Sequence, residues 1–295
     1  MTGNARIGAL SNAAGSIPFG PGAATLCVND QCGYECERPE VQAELEVGCF
    51  DSLVQLARVG VGLGLPVFNV QLMAPNLVHL ERSLTPRLVE AVYAATGACI
   101  AVDSRDPETV DCALAAYPHK ALCNSVTGEH DNLRTMLPII ARHGAAMGTG
   151  LVYERGVPQT VQERLMVARR IVQAAEAHGI PRNDVIIDAV CLPSSVAPDS
   201  MRVTLETLKA LRDELGVPTL LGISNAGHLM PQPRMLDLAF FAAAVSWGLD
   251  VAMIDPKTPL LPWMTRGLDF LIGSDPTGKA YLNYYRAQRR AGEAV

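Results

Sequence analysis

Residues 185–225 read VIIDAVCLPSSVAPDSMRVTLETLKALRDELGVPTLLGISN. A short β-branched run, VIID at 185–188, precedes a helical pattern over 199–215, and a second apolar run follows at 219–223. Apolar residues at a period near 3.6 indicate a helix, whereas short β-branched runs bounded by turn residues indicate buried strands. The order strand, helix, strand predicts two parallel strands joined by a crossover helix.

The same unit recurs along the whole chain. Helical patterns lie at about 39–62, 84–97, 107–116, 130–144, 158–178, 199–215, 233–247 and 257–270. They alternate with candidate strands at 25–28, 66–70, 99–103, 120–124, 146–151, 185–188, 219–223 and 251–254. Repeated strand–helix units over about 250 residues predict an α/β protein, a single-domain (β/α)8 TIM barrel. The alternative, a doubly wound sheet, usually carries a G-x-G-x-x-G turn after its first strand, and this sequence has none there.

The predicted boundaries place an N-terminal extension at 1–24, the barrel at 25–275 and a C-terminal helix or tail at 276–295. The chain has 295 residues, 24 basic against 30 acidic side chains, and a net charge of −6. Without a Lys/Arg-rich run, this acidic balance disfavours a nucleic-acid partner. The longest apolar runs, such as 238–245, are far shorter than the roughly 20 residues that span a bilayer. No secretory signal is visible at the start, so we expect a cytoplasmic protein that does not bind membranes.

Three of the eight cysteines stand close together, Cys27, Cys32 and Cys36. Their Cys-x4-Cys-x3-Cys spacing matches none of the usual zinc or iron–sulfur patterns, and no histidine lies nearby. The spacing favours plain loop thiols over a metal site, and we expect no tightly bound metal.

Short polar residues stand where six of the eight predicted strands end. They are Asn69, Asp103, Asn124, Asp188, Asn225 and Asp255. Any one of them could simply cap the following helix. As a set at the carboxyl ends of barrel strands, where barrel enzymes build their sites, they predict a binding site. Carboxylates and amides suit a neutral heterocycle rich in N–H and C=O groups.

Four short strings carry a family resemblance: AVDS at 101–104, CNSV at 123–126, IIDAVCLP at 186–193 and LGISNAGH at 221–228. In this order they resemble the pterin-binding methyltransferase family, over roughly residues 67–261. The resemblance implies methyl exchange between N5 of tetrahydrofolate and the cobalt of a corrinoid. It also implies that 5-methyltetrahydrofolate or tetrahydrofolate is the substrate and that the chain forms a homodimer. The corrinoid would arrive on a partner protein or as free cobalamin, because the sequence has no D-x-H-x-x-G attachment motif.

The resemblance also implies roles for the strand-end residues. Asp103 and Asp188 would hold the 2-amino and ring N–H groups of the pterin, and Asn124 would contact the opposite ring edge. Asn69 matches the amide of the family's D-x-N strand, but Val67 stands where that motif has its carboxylate. Asp255 completes the predicted pterin-binding set.

Two residues would act in catalysis. Asn225 matches the amide near N5, where the family stabilises positive charge as the methyl group leaves. His228 is a candidate proton source because imidazole is the side chain that most readily gains or loses a proton near neutral pH; a loop histidine that points to solvent is the alternative.

Two other functions remain open. A dihydropteroate synthase-like enzyme shares the barrel and the pterin pocket, but it typically has an S-T-R-P loop, a loop Lys and an R-x-H strand. This chain has none of these, and Met-Ile-Asp-Pro at 253–256 stands in place of the last. A non-catalytic folate- or corrinoid-binding subunit is the second alternative. The sequence leaves the physiological direction of methyl transfer open.

Overall fold

Eight parallel strands close into a barrel in the computed structural model, which describes residues 7–72, 75–195, 197 and 199–291. In chain order, and in order around the barrel, these strands are β3 (Leu26–Asn29), β4 (Val67–Val70), β5 (Cys99–Asp103), β6 (Leu122–Thr127), β7 (Ala146–Gly150), β8 (Val185–Asp188), β9 (Thr219–Gly222) and β10 (Val251–Ile254). Strand β10 pairs with β3 and closes the barrel. The predicted (β/α)8 barrel is confirmed.

Helices surround the barrel. They are α1 (Cys32–Glu35), α2 (Pro39–Glu46), α3 (Asp51–Leu63), α4 (Glu81–Thr96), α5 (Pro107–Ala115), α6 (His130–His143), α7 (Val161–Ala177), α8 (Ser200–Ala210), α9 (Pro233–Ser246), α10 (Leu261–Leu271) and α11 (Lys279–Ala291). Capping residues fix where several of these helices begin. The Asp106 carboxylate accepts from the Thr109 N–H at the start of α5, and Thr160 and Glu163 form a capping box at α7. The single helix predicted at 39–62 is divided: α2 ends at Glu46, and Gly48, just beyond it, has φ +70 and turns the chain before α3 begins.

An antiparallel hairpin precedes the barrel. Its strands are β1 (Gly8–Asn12) and β2 (Gly15–Phe19), in a segment rich in small residues whose sequence pattern did not predict strands. The hairpin contacts the chain just before β6, since the Ser11 N–H donates to the Lys120 carbonyl at 3.1 Å and the Tyr117 hydroxyl donates to the Ser11 carbonyl at 2.8 Å. It therefore covers the amino-terminal end of the barrel and leaves the carboxyl ends of the strands free.

The barrel strands are buried on both faces, as expected for parallel strands under a layer of helices. Apolar side chains such as Phe68, Ile100 and Leu122 are at most 1% exposed. Among the described helices, none is long and apolar enough to cross a membrane.

Candidate functional site

Asp103, the last residue of β5, is the centre of a hydrogen-bonded cluster at the carboxyl end of the barrel. Its Oδ2 accepts from Asn69 Nδ2 at 3.2 Å, Gln71 Nε2 at 2.9 Å and Asn124 Nδ2 at 3.4 Å. Its Oδ1 accepts from Ser125 Oγ at 3.3 Å. Strands β4, β5 and β6 thus bring three of the predicted residues together. Gln71 and Ser125 were not predicted, although each lies beside a predicted residue on the same strand end.

Burial dominates the electrostatics of Asp103. Removal from water raises the pKa of its carboxyl group, and the hydrogen bonds from Asn69, Ser125 and Asn124 oppose that rise. The carboxylate is consequently held in one orientation by neutral donors.

The Asn69 side chain has an unused acceptor. Asn69 is 1% exposed, and its Oδ1 accepts no hydrogen bond from the part of the chain that the structure describes. An unsatisfied buried acceptor costs about 1–3 kcal/mol. An N–H donor on a bound molecule would satisfy this oxygen.

Asn124 faces the neighbouring strand β7 at Gly148, a position without a side chain. The sequence of β7 is AMGTG, and a Cβ added to Gly148 would lie 2.6 Å from Asn124 Oδ1. Asn124 Nδ2 also lies 3.3 Å from Met253 Sδ on β10. Val67, two residues before Asn69 on the same face of β4, is 1% exposed, so this position of the strand carries a buried apolar side chain.

Asp188, the last residue of β8, is a second half-buried carboxyl group at this end. Its Oδ1 accepts from the Val190 N–H at 2.8 Å. Burial raises its pKa to about 6; the nearby charge of Asp103 adds to the rise, and the charge of Arg164 opposes it. Val190 has φ +59, a strained conformation for a β-branched residue.

Arg164 is a buried cation whose charge acts on Asp188, and the sequence analysis did not predict it. It lies in α7 and is 2% exposed. Its Nε donates to the Pro158 carbonyl at 3.0 Å, and its Nη1 donates to the Ala189 carbonyl at 2.8 Å and to Thr204 Oγ1 at 3.2 Å. No local pattern distinguishes this arginine from the exposed arginines of the same helix.

Asp255 is not part of the Asp103 cluster. Its Oδ2 accepts from Arg234 Nε at 2.8 Å, and its Oδ1 accepts from the Lys257 N–H at 2.8 Å. It lines a cleft of about 220 Å³ together with Tyr34, His228 and other residues of the loops after β3, β9 and β10.

Asn225 and His228 lie on the exposed loop after β9. Asn225 ends the short helical turn Ile223–Asn225, and both side chains face solvent. No hydrogen bond within the described ranges joins either side chain to Asp103. The loop is tied to its neighbour after β8, because Ser195 Oγ donates to the His228 carbonyl at 3.0 Å and Ser194 Oγ donates to the Ala226 carbonyl at 2.8 Å.

Asp30, directly after β3, is a further carboxyl group that sequence reasoning missed. Burial raises its pKa to about 7, and the charges of Asp255 and Asp237 add to the rise. Its own hydrogen-bond partner is Gln31, whose Nε2 donates to Oδ1 at 2.9 Å. Asp30 follows the apolar run LCVN at 26–29, so it could have been predicted in the same way as the polar residues at the ends of the other strands.

The three clustered cysteines are not loop thiols, so that prediction is wrong. Cys27 lies within β3, with its Sγ 3.8 Å from Thr265 Oγ1. Cys32 and Cys36 are 0% exposed around α1, and Cys36 Sγ lies 3.8 Å from the Gln71 carbonyl. A short helix that packs on the barrel buries these thiols despite their polar surroundings in sequence. Across the described residues, no group of three Cys, His, Asp or Glu side chains is arranged to hold a metal ion.

Comparison with known proteins decides the family. The family model "Pterin binding enzyme" matches residues 78–255, more than half of the chain. The chain belongs to the pterin-binding enzyme family. The matched segment includes Asp103, Asn124, Asp188 and Asn225, whereas Asn69 and Asp30 precede it.

Individual relatives of this family member are distant. A methylcorrinoid:tetrahydrofolate methyltransferase of Eubacterium limosum is 22% identical over 222 residues, which are 74% of this chain and 81% of that enzyme. A methionine synthase of Mycobacterium leprae is 25% identical over 81% of this chain, but the match spans about a fifth of that longer protein (21%). A solved dihydropteroate synthase of Yersinia pestis, with a pterine-sulfa conjugate, has a TM-score of 0.69 at 13% identity, over 91% of this chain and 100% of that one. At this identity the likeness shows the fold alone.

Proposed function

We propose that the protein transfers a methyl group between N5 of tetrahydrofolate and the cobalt of a corrinoid. The observation that carries the proposal is the polar cluster around Asp103, whose member Asn69 has a buried acceptor with no donor among the residues that the structure describes. Membership of the pterin-binding family and the name of the Eubacterium limosum relative support it.

The strand-end residues supply the groups that a pterin needs. Asp103 and Asp188 would accept from the 2-amino group and the ring N–H, and two carboxylates can each accept more than one hydrogen bond. Asn69 Oδ1 would accept from a further ring N–H. Asn124, whose side chain occupies the space over Gly148, would contact the opposite ring edge. Asp255 would contribute at the other side of the mouth.

The chemistry at N5 needs charge stabilisation at one atom. Breaking the bond between N5 and the methyl carbon leaves an electron pair on N5, and a proton or a hydrogen bond there lowers the barrier. Asn225 and His228 lie on a solvent-exposed loop at the mouth, where they could reach a bound folate as the second substrate approaches. The corrinoid, supplied by a partner protein or as free cobalamin, carries the methyl group when the folate does not. The proposal includes that the chain forms a homodimer.

The test follows the corrinoid by its absorbance. Purified protein is mixed with cob(I)alamin and 5-methyltetrahydrofolate, and the spectrum is recorded as methylcobalamin forms; the reverse reaction starts from methylcobalamin and tetrahydrofolate. We expect turnover in at least one direction. Absence of turnover in both directions, while tetrahydrofolate still binds, would contradict the methyltransferase and favour the non-catalytic subunit.

A dihydropteroate synthase-like reaction is the second candidate, and its support is the shared fold. That reaction must stabilise a pyrophosphate leaving group. At the end of β10 the Arg234 guanidinium is paired with the Asp255 carboxylate, so the cation at this position is already neutralised by a carboxylate of the chain. Release of pyrophosphate from a pterin pyrophosphate in the presence of an aminobenzoate would favour this candidate.

A further inference from the structure

A cavity of about 280 Å³ lies between the barrel and α10, towards the amino-terminal end of the strands. Its walls come from the hairpin strand β2, from β3, from the turn that joins α3 to β4, and from α10. The cavity shares no described residue with the Asp103 cluster. Its volume is close to the lower end of the roughly 300–1,000 Å³ typical of ligand sites, so it suits one small molecule.

The cavity exists because small side chains stand where β3 and α10 face each other. Cys27 of β3 lies opposite Thr265 of α10, with Sγ and Oγ1 3.8 Å apart. Gly64, which ends α3 with φ +94, leaves room for the Arg266 guanidinium, since a Cβ added there would lie 2.9 Å from Arg266 Nη2. Larger apolar side chains at these positions would fill the space, as in the close-packed interiors of most proteins.

Two opposite charges line the cavity without an ion-pair partner. Asp269 is 5% exposed, and its Oδ1 accepts from the Thr25 N–H, a neutral donor, at 3.0 Å. Arg266 Nη1 donates to the Pro262 carbonyl at 2.7 Å, and the guanidinium lies over the Tyr284 ring, 4.5 Å from its centroid. Within the described ranges, Asp269 and Arg266 form no ion pair with each other or with another side chain.

A buried carboxylate without a cation is unfavourable. Removal from water raises the pKa of the Asp269 carboxyl group, and the N–H of Thr25 and the more distant charge of Arg266 oppose the rise. A bound cation at Asp269 would replace the lost hydration, and a bound anion would accept the remaining hydrogen bonds of Arg266.

The spacing of the two charges suits a single small molecule. Asp269 and Arg266 are three residues apart on α10, so they are neighbours on one face of the helix, with about 5–6 Å between their Cβ atoms. A ligand that carries an ammonium group and a carboxylate on the same carbon atom can therefore contact both side chains.

The remainder of the wall is largely apolar. It includes Ile17, Leu26, Leu63, Leu65 and Leu261. An apolar group of the ligand gains free energy when it leaves water for such a wall. A third charge on the ligand would lose its hydration, and the described lining has no further charged side chain to replace it.

We propose that this cavity binds a free α-amino acid with an apolar side chain. The α-ammonium group donates to the Asp269 carboxylate, the α-carboxylate accepts from the Arg266 guanidinium, and the side chain packs against the apolar wall. This binding is separate from the proposed methyl transfer, so a protein without methyltransferase activity would still show it.

Calorimetric titration of the intact protein with L-leucine tests the proposal. We expect saturable binding at one site per chain, with a Kd below about 10 mM. Two analogues separate the charges: 3-methylbutylamine lacks the carboxylate, and 4-methylpentanoate lacks the ammonium group. Each should bind at least about tenfold more weakly than leucine, because each loses a charge-assisted hydrogen bond. Absence of saturable leucine binding, or an analogue that binds as tightly as leucine, would overturn the proposal.

Two variants locate the bound leucine. Arg266→Gln removes the cation, so leucine should bind about tenfold more weakly and no better than 3-methylbutylamine. Thr265→Leu fills the cavity and should abolish leucine binding. Each variant serves as the test if the other fails to fold, and the comparison of analogues needs neither. Arg202→Gln, which removes an exposed cation paired with Glu206 on α8, is the matched control and should bind leucine like the wild type. Wild-type affinity in a folded cavity variant would overturn the proposed site.

Discussion

Asn124 and Gly148 face each other across neighbouring strands of the barrel. A Cβ on Gly148 would lie 2.6 Å from Asn124 Oδ1, closer than atoms can pack. The same amide donates to Asp103, so the absence of a side chain at position 148 fixes where the Asp103 cluster presents its polar atoms. The missing side chain at Gly148 of β7 therefore allows the orientation in which Asn124 of β6 donates to Asp103.

Gly148→Ala should displace the Asn124 amide and weaken tetrahydrofolate binding. We expect a loss of about tenfold or more, equivalent to roughly 1.4 kcal/mol, measured by calorimetry. Gly62→Ala is the control: an added Cβ there has no atom within 4 Å, and the change should leave binding intact. Unchanged affinity in Gly148→Ala would show that Asn124 does not contact the pterin.

Asp103→Asn should disrupt the cluster itself. The new amide group would face donors from Asn69, Gln71 and Asn124, so at least one N–H would oppose another. We expect pterin affinity to fall by about 100-fold, since a bidentate acceptor is lost. Gln71→Ala, which removes one donor to the same carboxylate, should have a much smaller effect; equal losses would mean that Asp103 only orders its neighbours.

Pterin binding should depend on pH through Asp188. Its pKa is raised to about 6, and hydrogen bonds from ring N–H groups require the carboxylate. Affinity should therefore be constant above pH 7 and fall as the pH drops below 6, by up to about tenfold per unit. Asp188→Asn should bind weakly with little change over this range. A wild-type affinity that is flat from pH 5 to 8 would exclude Asp188 as a charged acceptor.

Arg164→Met should destabilise the fold and shift the titration of Asp188. The change leaves the Pro158 and Ala189 carbonyls without their donor, which should cost about 2–4 kcal/mol in urea unfolding. Loss of the nearby cation should also move the pH dependence of pterin binding upward. Arg169→Met, on the same helix but in an exposed pair with Glu214, should change stability by less than about 1 kcal/mol.

Asp30→Asn should stabilise the protein at neutral and higher pH. The pKa of Asp30 is raised from 3.8 to about 7, so the folded state binds more protons than the unfolded state between these values. Wild-type stability from this group is complete below pH 4 and is lost as the pH rises through 7. At pH 8 the variant should gain ~2 kcal/mol after allowance for water near this half-buried group, and at pH 4 little. Equal denaturation midpoints at pH 8 would contradict the raised pKa.

Much of the architecture follows from local sequence. The β-branched runs and the helical periodicity predict all eight barrel strands, because these patterns reflect burial on both faces of a strand and on one face of a helix. The polar residues at the carboxyl ends of β4, β5 and β6 could also be predicted to lie together, because parallel strands place their carboxyl ends at the same edge of the sheet. Asn69, Asp103 and Asn124 are adjacent for that reason.

The remaining features depend on contacts between segments distant in sequence. Arg234 of α9 engages Asp255, Arg164 of α7 lies behind Asp188, and Asp237 and Asp255 raise the pKa of Asp30. Each of these effects depends on charge separation and burial, which are fixed only when the helices close around the barrel. Local sequence patterns therefore account for the barrel and for the polar residues at its strand ends. Which of these residues are paired, and which have raised pKa values, depends on contacts that form only when the helices pack around the strands.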